Sequence, residues 1–477
     1  MAQEVRNFLY NISVGPADES DQTFIVRFHV KPSDHSLFTA AGLPRYRTYD
    51  DSLFFVPSGT TPAKTVSIQL QVEMQDTGGN SRSPVPGWFP KPVGSDNSTV
   101  ANFNITFQGV APSLAGGQTW SKMTSTHLSV AADGVMMTPR FGHAVVEFMG
   151  DIFVLGGYMT PKENSSQPWR ASRRLLSDHN PEYLLSDVWR FRQVTGGICR
   201  TQGLCLEQAR VLHSAAWPGR HSHAAVVMGN RIWVMGGVTA AAVPAHDVWS
   251  SYDAVDWTLV TATAAWSPRF SMAIDTIANP STFELEDSGV MIISGGGSYT
   301  GTGSVMYNDV WSSINGKDWQ LLSADAGWTP RAAHSMTSLR GPQGNVTIWL
   351  AGGEEVSGTT QGDVWYSSDS GASWHLRTPA APWQDRAGHA MVRYRGHLLV
   401  VSGRSSVGVN IDLDEPILRD VWNSTDGYWW HKVLDQAPFD GREHFGAVVH
   451  GKSDRLVLIG GQGLLGRMGD VWVSPSN

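Results

Sequence analysis

The sequence has few charged residues and only two cysteines. Asp, Glu, Lys and Arg together make up 16% of its 477 residues, and the net charge is −8. A general nucleic-acid binder needs a basic surface, so this balance excludes that class. No apolar run approaches the roughly 20 residues of a membrane-spanning helix. Gly (50) and Trp (20) are plentiful, which favours short strands and tight turns over helices.

The two cysteines, Cys199 and Cys205, are separated by five residues, a spacing that suits a local disulfide or two free thiols. Six Asn-x-Ser/Thr sequons favour the disulfide, because sequons and disulfides both belong to secreted proteins. The sequons lie at Asn11, Asn97, Asn104, Asn164, Asn345 and Asn423. The chain begins Met1-Ala-Gln-Glu without a signal peptide. We therefore expect a processed or excised portion of an extracellular or cell-surface protein.

A tripeptide, Asp-Val-Trp, recurs six times at the same place in a larger unit. The copies begin at Asp187, Asp247, Asp309, Asp363, Asp420 and Asp470. Each follows an Arg, a short apolar segment, and a second apolar segment that ends in Gly-Gly or a close relative. The arginines are Arg140, Arg220, Arg269, Arg331, Arg386 and Arg442. A period near fifty residues with four strands per unit predicts propeller blades.

Other side chains repeat with the Arg. A His lies three residues after it in four units, at His143, His223, His334 and His389, with Met272 and Phe445 in the other two. We interpret the histidines as packing and hydrogen-bonding positions, with a metal-binding ring as the alternative. We expect the arginines to bond loop carbonyls at the channel mouth. Four tryptophans that precede the Arg by three residues are expected in the inter-blade core: Trp217, Trp266, Trp328 and Trp383.

Residues 118–477 resemble Kelch repeats: an apolar strand ending in Gly-Gly, an aromatic strand, and a spaced Trp. The resemblance implies a six-bladed β-propeller. Thr119-Trp120 looks like the last strand of a blade, whereas the chain ends just after Trp472 without such a strand, so we expect the two to pair and close the ring. Residues 367–374 match the Asp-box, S-x-D-x-G-x-x-W, a structural turn remote from the site in the families that carry it.

Residues 1–115 lack the repeat and contain strand-like runs separated by Gly, Pro and Ser clusters. Alternating polar and apolar residues predict half-buried strands. We expect a small antiparallel β-domain, a sandwich, joined to the propeller by a linker around residues 111–117.

No enzyme signature is complete. Galactose oxidase, which has a Kelch propeller, needs a Tyr cross-linked to a Cys for its copper site, and here the two cysteines are close in sequence and expected to pair. A sialidase needs an arginine triad with a Tyr and acid partners, which the repeat arginines do not match. Asp412, Asp414 and Glu415 are interpreted as solvated loop charge, with weak Ca²⁺ binding as the alternative. The expectation is a protein without catalysis and without a cofactor.

Function in propellers usually lies in loops that share one face. The loops between second and third strands place basic residues on one side of that face and acidic residues on the other, which suits docking to a protein or a glycan. Ordinary solvated loops are the alternative. The candidate ligand-binding residues are Trp169, Arg170, Arg173, Arg174, Tyr299, Glu354, Glu355, Arg404, Asp412, Asp414 and Glu415.

We therefore predict a binding or assembly glycoprotein. Its expected partners are other proteins or copies of itself in an extracellular assembly. A carbohydrate-binding lectin or a glycan-active enzyme is the second hypothesis.

Overall fold

Every regular element of the described residues is a β-strand. The structure is a computed structural model. It describes the backbone of residues 3–5, 23–30, 45–47, 52–55, 64–75 and 98–107, and, from residue 120 onward, residues 120–124, 127–131, 134–159, 183–194, 204–240, 243–278, 289–300, 303–341, 345–406 and 417–475. Contacts divide the chain into two compact units, Met1–Gly116 and Gly117–Asn477.

The first unit contains two three-stranded antiparallel sheets. One sheet has the order β1-β4-β3 and the other β2-β5-β6. The strands are β1 (Gln3–Val5), β2 (Thr23–Val30), β3 (Arg45–Arg47), β4 (Ser52–Phe55), β5 (Lys64–Gln75) and β6 (Ser98–Phe107). That the two sheets pack as a sandwich stays a prediction.

The second unit is a six-bladed β-propeller, as the repeat predicted. Two strands precede the first blade, β7 (Ser121–Lys122) and β8 (Leu128–Val130). Blade 1 has β9 (Ala144–Phe148), β10 (Asp151–Tyr158), β11 (Leu184–Gln193) and β12 (Leu206–Leu212). Blade 2 has β14 (Ala224–Met228), β15 (Arg231–Met235), β17 (Val248–Ser251) and β18 (Thr258–Thr261), with a short ladder of β13 (Arg220–His221) and β16 (Val238–Thr239).

The remaining four blades repeat this order. Blade 3 has β19 (Ala273–Ala278), β20 (Gly289–Ser294), β23 (Val310–Ser313) and β24 (Gln320–Ser323), with a hairpin of β21 (Gly297–Thr300) and β22 (Gly303–Met306). Blade 4 has β25 (Ser335–Arg340), β26 (Val346–Ala351), β27 (Val364–Ser367) and β28 (His375–Thr378). Blade 5 has β29 (Ala390–Tyr394), β30 (His397–Arg404), β31 (Ile417–Ser424) and β32 (His431–Leu434). Blade 6 has β33 (Gly446–His450), β34 (Arg455–Gly463), β35 (Gly466–Val473) and β7.

The segment that carries β7 and β8 joins the two ends of the ring. β7 pairs antiparallel with β35, with Lys122 opposite Trp472, and Trp120 is buried against Phe439 with ring centroids 5.3 Å apart. β8 then pairs in parallel with the outer strand of blade 1, with Leu128 opposite Leu206. One segment therefore closes blade 6 and also covers the open edge of blade 1, which removes two unpaired sheet edges.

Each blade contains the same buried ion pair, between its Arg and the Asp of Asp-Val-Trp. Two guanidinium nitrogens donate to the two carboxylate oxygens at 2.5 to 3.2 Å. The indole N–H of the Trp donates to the same carboxylate in every blade. The Arg also donates to the carbonyl of the first residue of the Gly-Gly pair, a position that Ser402 occupies in blade 5. We call this arrangement the Arg–Asp clasp; the predicted carbonyl bonds are present, but the carboxylate is the additional partner.

The Gly-Gly pair makes room for histidines of two neighbouring blades. A Cβ on Gly352 of blade 4 would lie 2.7 Å from Cε1 of His389 in blade 5. A Cβ on Gly353, whose φ is +107°, would lie 2.8 Å from Cβ of His334 in its own blade. Positive φ and close packing both require glycine at this position, so the repeat ends its second strand in Gly-Gly.

The Asp-box forms a tight turn between the third and fourth strands, on the side of the propeller opposite the clasp. In blade 4 the Oγ of Ser367 accepts from the N–H of Gly371 at 2.8 Å and donates to Asp369, while the indole of Trp374 donates to the Gly371 carbonyl. Asp369 also accepts from the N–H of Ser373. The hydroxyl and carboxylate thus satisfy amides that the turn would otherwise leave unpaired.

We expect Ser367→Ala to destabilise the propeller by about 1–3 kcal/mol, because Ser367 is fully buried and its loss leaves the Gly371 N–H without an acceptor. The neighbouring Ser368 is exposed and provides a matched control, Ser368→Ala, which should change stability by less than about 0.5 kcal/mol. Urea unfolding of both variants measures the difference. Equal stability of the two variants would show that the hydroxyl does not hold the turn.

Candidate functional site

A closed ring of six backbone hydrogen bonds surrounds the propeller axis. In each blade the N–H of the residue two positions after the Arg donates to the carbonyl of the same position in a neighbouring blade, at 2.6 to 2.9 Å. We call these residues the belt: Gly142, Ser222, Ser271, Ala333, Gly388 and His444. All six have φ between +48° and +63°, although four of them are not glycine. Such backbone strain persists only where surrounding contacts enforce it, and here the ring of bonds does so.

The belt and the residues that follow it line a cavity of about 140 Å³ on the axis. Four of the lining side chains are the repeated histidines, which are buried. His143 Nε2 lies 3.1 Å from the Ile459 carbonyl of the preceding blade, and His334 Nε2 lies 2.9 Å from Ser294 Oγ. Burial and the nearby arginine lower the pKa of His143 and of His334 to about 3, so both are neutral.

These contacts agree with the packing interpretation of the histidines. The described residues contain no group of three or more His, Cys, Asp or Glu that is placed to hold a metal ion.

The residue directly after each Arg stands above the belt, at the mouth of the channel. It bridges to a residue that follows the Gly-Gly pair, as Phe141 does to Tyr158 and Ala387 does to Arg404. The channel mouth is therefore built from these residues and from the starts of the loops between second and third strands. Unlike the clasp, this position is not constant, and four residue types occupy it in the six blades: Phe141, His221, Phe270, Ala332, Ala387 and Glu443.

One half of the mouth, from blades 4 to 6, is charged. Arg404 is buried between two carboxylates: its Nε lies 2.8 Å from Glu443 Oε2, and its Nη2 donates to Glu354. His444 Nδ1 lies 3.1 Å from the same Glu443 oxygen. We call Glu354, Arg404, Glu443 and His444 the charged cluster.

Glu443 is ionised at neutral pH. Burial raises the pKa of its carboxyl, but the bond to His444 and the positive charge of Arg404 outweigh burial and leave that pKa below its usual value. A carboxylate held in this way is a fixed acceptor, not a proton donor.

The other half of the mouth, from blades 1 to 3, is aromatic. Phe141 contacts Tyr158 and His221 at centroid distances of 5.8 and 5.7 Å, and Tyr158 contacts Tyr183 at 6.1 Å. The guanidinium of Arg467, from blade 6, lies 4.9 Å from the Phe141 ring and 4.6 Å from the Tyr158 ring. We call these five residues the aromatic cluster. It meets the charged cluster where Phe141 lies 6.4 Å from His444.

Blade 3 adds a separate stacked pair at the same face. The rings of Phe270 and Tyr299 lie 4.7 Å apart and 27° from parallel. Burial raises the pKa of Tyr299, so its hydroxyl stays protonated.

Four of the predicted ligand-binding residues are described. Glu354 and Arg404 contact each other, Tyr299 stacks on Phe270, and Glu355 accepts from Gln361 Nε2 at 2.8 Å within its own loop. The other candidates, Trp169, Arg170, Arg173, Arg174, Asp412, Asp414 and Glu415, lie outside the described residues, and so does the weak Ca²⁺ alternative that rests on the last three.

Cys205 is buried next to the outer strand of blade 1, and Cys199 lies outside the described residues. The disulfide therefore stays a prediction.

The sequons fall in different surroundings. Asn345 is exposed at the turn before β26. Asn423 lies within β31, opposite Leu399, and its Oδ1 is buried, which is a poor position for a glycan. Asn104 lies in β6, and Asn11, Asn97 and Asn164 are outside the described residues.

Sequence reasoning missed most of the mouth, namely Phe141, Tyr158, Tyr183, His221, Glu443, His444 and Arg467. A signal was available. In a repeat that fixes the Arg and has His three residues after it in four of six blades, the two positions between them vary more widely. Variation confined to channel-facing positions of a regular repeat indicates a function that the repeat itself does not need.

Comparison with known proteins shows the fold and no more. No protein-family model matches the chain, and no curated protein matches it. A solved structure titled "Structure of YjhT" is similar at 12% identity with a TM-score of 0.51, covering 71% of this chain and 95% of the other. At this identity the likeness supports the propeller architecture alone.

Among the described residues no helix is long and apolar enough to cross a membrane.

Proposed function

We propose that this chain is a Kelch-like propeller of the extracellular space that binds a partner protein, or a second copy of itself, at the channel mouth, and that it does so without catalysis. The observation that carries this proposal is the mouth itself. Its residues vary among the blades, unlike those of the clasp, and it joins an aromatic half to a charged half. Aromatic and Arg side chains are the groups most enriched at the centres of protein interfaces.

The charges of the mouth support binding over catalysis. Arg404 is held by two carboxylates, and Glu443 keeps a lowered pKa, so Glu443 is an ionised acceptor at neutral pH and not a proton donor. The buried histidines are neutral, and two of them, His143 and His334, contact a carbonyl and a hydroxyl group of the neighbouring blade. Fixed, mutually satisfied charges provide orientation and selectivity for a partner.

An extracellular location is supported by the six sequons, of which Asn345 is exposed. Fixed carboxylate and guanidinium groups beside aromatic rings also favour a second candidate, carbohydrate binding, because rings can pack on a sugar face while the charged groups bond its hydroxyls.

The test is capture from the native source with the full-length protein as bait, followed by titration of the purified partner. We expect a double change at the mouth, Glu354→Gln with Tyr299→Ala, to weaken partner binding at least about tenfold, since it removes one ion pair and one aromatic contact. A control with the same kinds of change away from the mouth, Asp256→Asn with Tyr252→Ala, should bind like the unmodified protein, because both side chains are exposed on the turn between the third and fourth strands of blade 2, at the opposite end of the channel.

Three results would decide against the proposal. A partner that binds the mouth variant and the unmodified protein equally well would place the interface elsewhere. Selective binding on a glycan array that the mouth variant loses would favour the lectin. Turnover of a glycoside would contradict the absence of catalysis.

A further inference from the structure

The end of the channel opposite the mouth carries a concentration of positive charge. Strand direction alternates within each blade, so the turns between first and second strands lie at this end. In blades 4 to 6 these turns and the adjoining strand ends hold five cationic residues: Arg340, Arg393, Arg395, Lys452 and Arg455. Asp454 is the acidic residue among them. We call the five cationic residues the cationic patch. The turns that carry it therefore have an excess of positive charge, in a chain whose net charge is −8.

Three members of the patch are exposed, namely Arg340, Arg393 and Lys452. Among the described residues none of the three forms an ion pair. Asp454 is bound to Arg395, with 2.7 Å between Oδ2 and Nε, and therefore neutralises one cation. The contrast with the mouth is clear, because there Arg404 is bound by two carboxylates.

Two cations of the patch, Arg395 and Arg455, are close enough to act on each other. Burial and the neighbouring charge of Arg395 both lower the pKa of Arg455. On the same turn burial is the main cause of the lowered pKa of His450; the charge of Lys452 lowers this pKa further, whereas the carboxylates of Glu147 and Asp151 raise it.

Carboxylates also lie near the patch: the charge of Arg393 acts on Asp275, and Glu147 and Asp151 act on the turn that carries Lys452. Within the described residues none of them forms an ion pair with Arg340, Arg393 or Lys452, so these three charges remain available to an anionic ligand.

The patch lacks the apolar component of a protein interface. None of the large hydrophobic side chains that the described residues expose lies in these turns of blades 4 to 6. Tyr394, under Arg395, is buried and offers no exposed ring on which a nucleic-acid base could stack. Duplex DNA binders typically neutralise six or more phosphates, which is more than this patch can supply.

We propose that the cationic patch binds an acidic polysaccharide through its sulfate or carboxylate groups. Discrete anionic groups along such a chain match a few separated cations at the strand ends, and the long Arg and Lys side chains on turns can adapt to them. This site lies at the opposite end of the channel from the mouth, and it does not depend on what the mouth binds.

The experiment uses the full chain and three ligands: heparin, a 20-base-pair DNA duplex, and vesicles containing anionic lipid. We expect heparin to bind best, with an affinity that falls as salt rises. The triple variant Arg340→Gln, Arg393→Gln and Lys452→Gln should bind heparin about 100-fold more weakly, because each cation near an anionic surface contributes roughly fivefold. A control removes three exposed cations from the third and fourth strands of blades 5 and 6, Lys122→Gln, Arg419→Gln and Lys432→Gln, and should lose less than about threefold.

Each alternative outcome overturns the proposal. These are no heparin binding at physiological salt, equal losses in the patch variant and the control, and tighter binding to DNA or to vesicles than to heparin. The three patch side chains are exposed, so the triple variant should keep the thermal unfolding midpoint of the parent protein, which a melting curve verifies. The single change Lys452→Glu provides a second test. It reverses the charge, so it should weaken heparin binding more than Lys452→Gln does.

Discussion

Asp309→Ala should destabilise the propeller by about 3–5 kcal/mol, because it leaves the Arg269 guanidinium buried without its counter-charge. Arg269 is fully buried, and its two Nη atoms donate to Asp309 at 2.7 and 2.9 Å. The Trp311 indole donates to the same carboxylate at 2.7 Å. Removal of the carboxylate therefore leaves both the Arg269 guanidinium and the Trp311 indole N–H without this acceptor.

Urea unfolding of the full chain measures this effect, taken from the unfolding transition of the propeller unit. The control is Asp256→Ala on an exposed turn of blade 2, which should change stability by less than about 0.5 kcal/mol. A double change, Arg269→Met with Asp309→Leu, should recover much of the loss, because replacing both partners with apolar groups removes the unpaired charge. A loss below about 1 kcal/mol in Asp309→Ala would mean that the clasp is not what holds the blade.

The Arg–Asp clasp shows how much of the fold could be predicted from the sequence. Arg and Asp-Val-Trp each recur once per unit, so the blades, their strands and their number could be predicted from the repeat. The pairing could not, because the Arg and the Asp are separated by 47 residues in blade 1 but 27 in blade 2. The variable loop between second and third strands sets this distance, so no constant spacing links the two residues.

The parts that the sequence did not reveal are those without a repeat. β8 is three residues long, Leu128–Val130, and its parallel pairing with the edge of blade 1 follows from where the chain runs after β7. Likewise the charged cluster joins side chains of three blades, and no local pattern records that Arg404 lies between Glu354 and Glu443. Contacts between blades depend on how the ring closes, and a strand-by-strand interpretation of the sequence does not predict them.

The buried histidines lead to the second large effect, a loss of stability in mild acid. An unfolded His titrates near pH 6.5, whereas burial and a neighbouring arginine hold the pKa of His143 and His334 to about 3 in the folded protein. Below pH 6.5 the unfolded chain therefore binds protons that the folded chain does not. Their contribution to stability is present above pH 6.5 and is lost as the pH falls toward 3.

Between pH 7 and pH 5 each of these two histidines should cost about 2 kcal/mol, or roughly 4 kcal/mol together. His223 and His389, whose pKa values burial and a neighbouring arginine also lower, act in the same direction. The clasp carboxylates Asp247, Asp420 and Asp470 add little in this window, because their pKa values are lowered despite their burial and they titrate below it. Burial raises the pKa of Asp275, so this carboxyl acts in the opposite direction to the histidines.

The repeat itself supplies the variant that tests this account. Met272 occupies the histidine position in blade 3, so His334→Met places a side chain that the architecture already accepts. Urea unfolding at pH 7 and pH 5 should show that this variant loses about 2 kcal/mol less than the parent between the two values. His213→Met, at an exposed position, is the control and should follow the parent. If His334→Met lost as much stability as the parent, the protons would be taken up elsewhere, because the imidazole that the variant lacks is the group held neutral at the seam between blades 3 and 4.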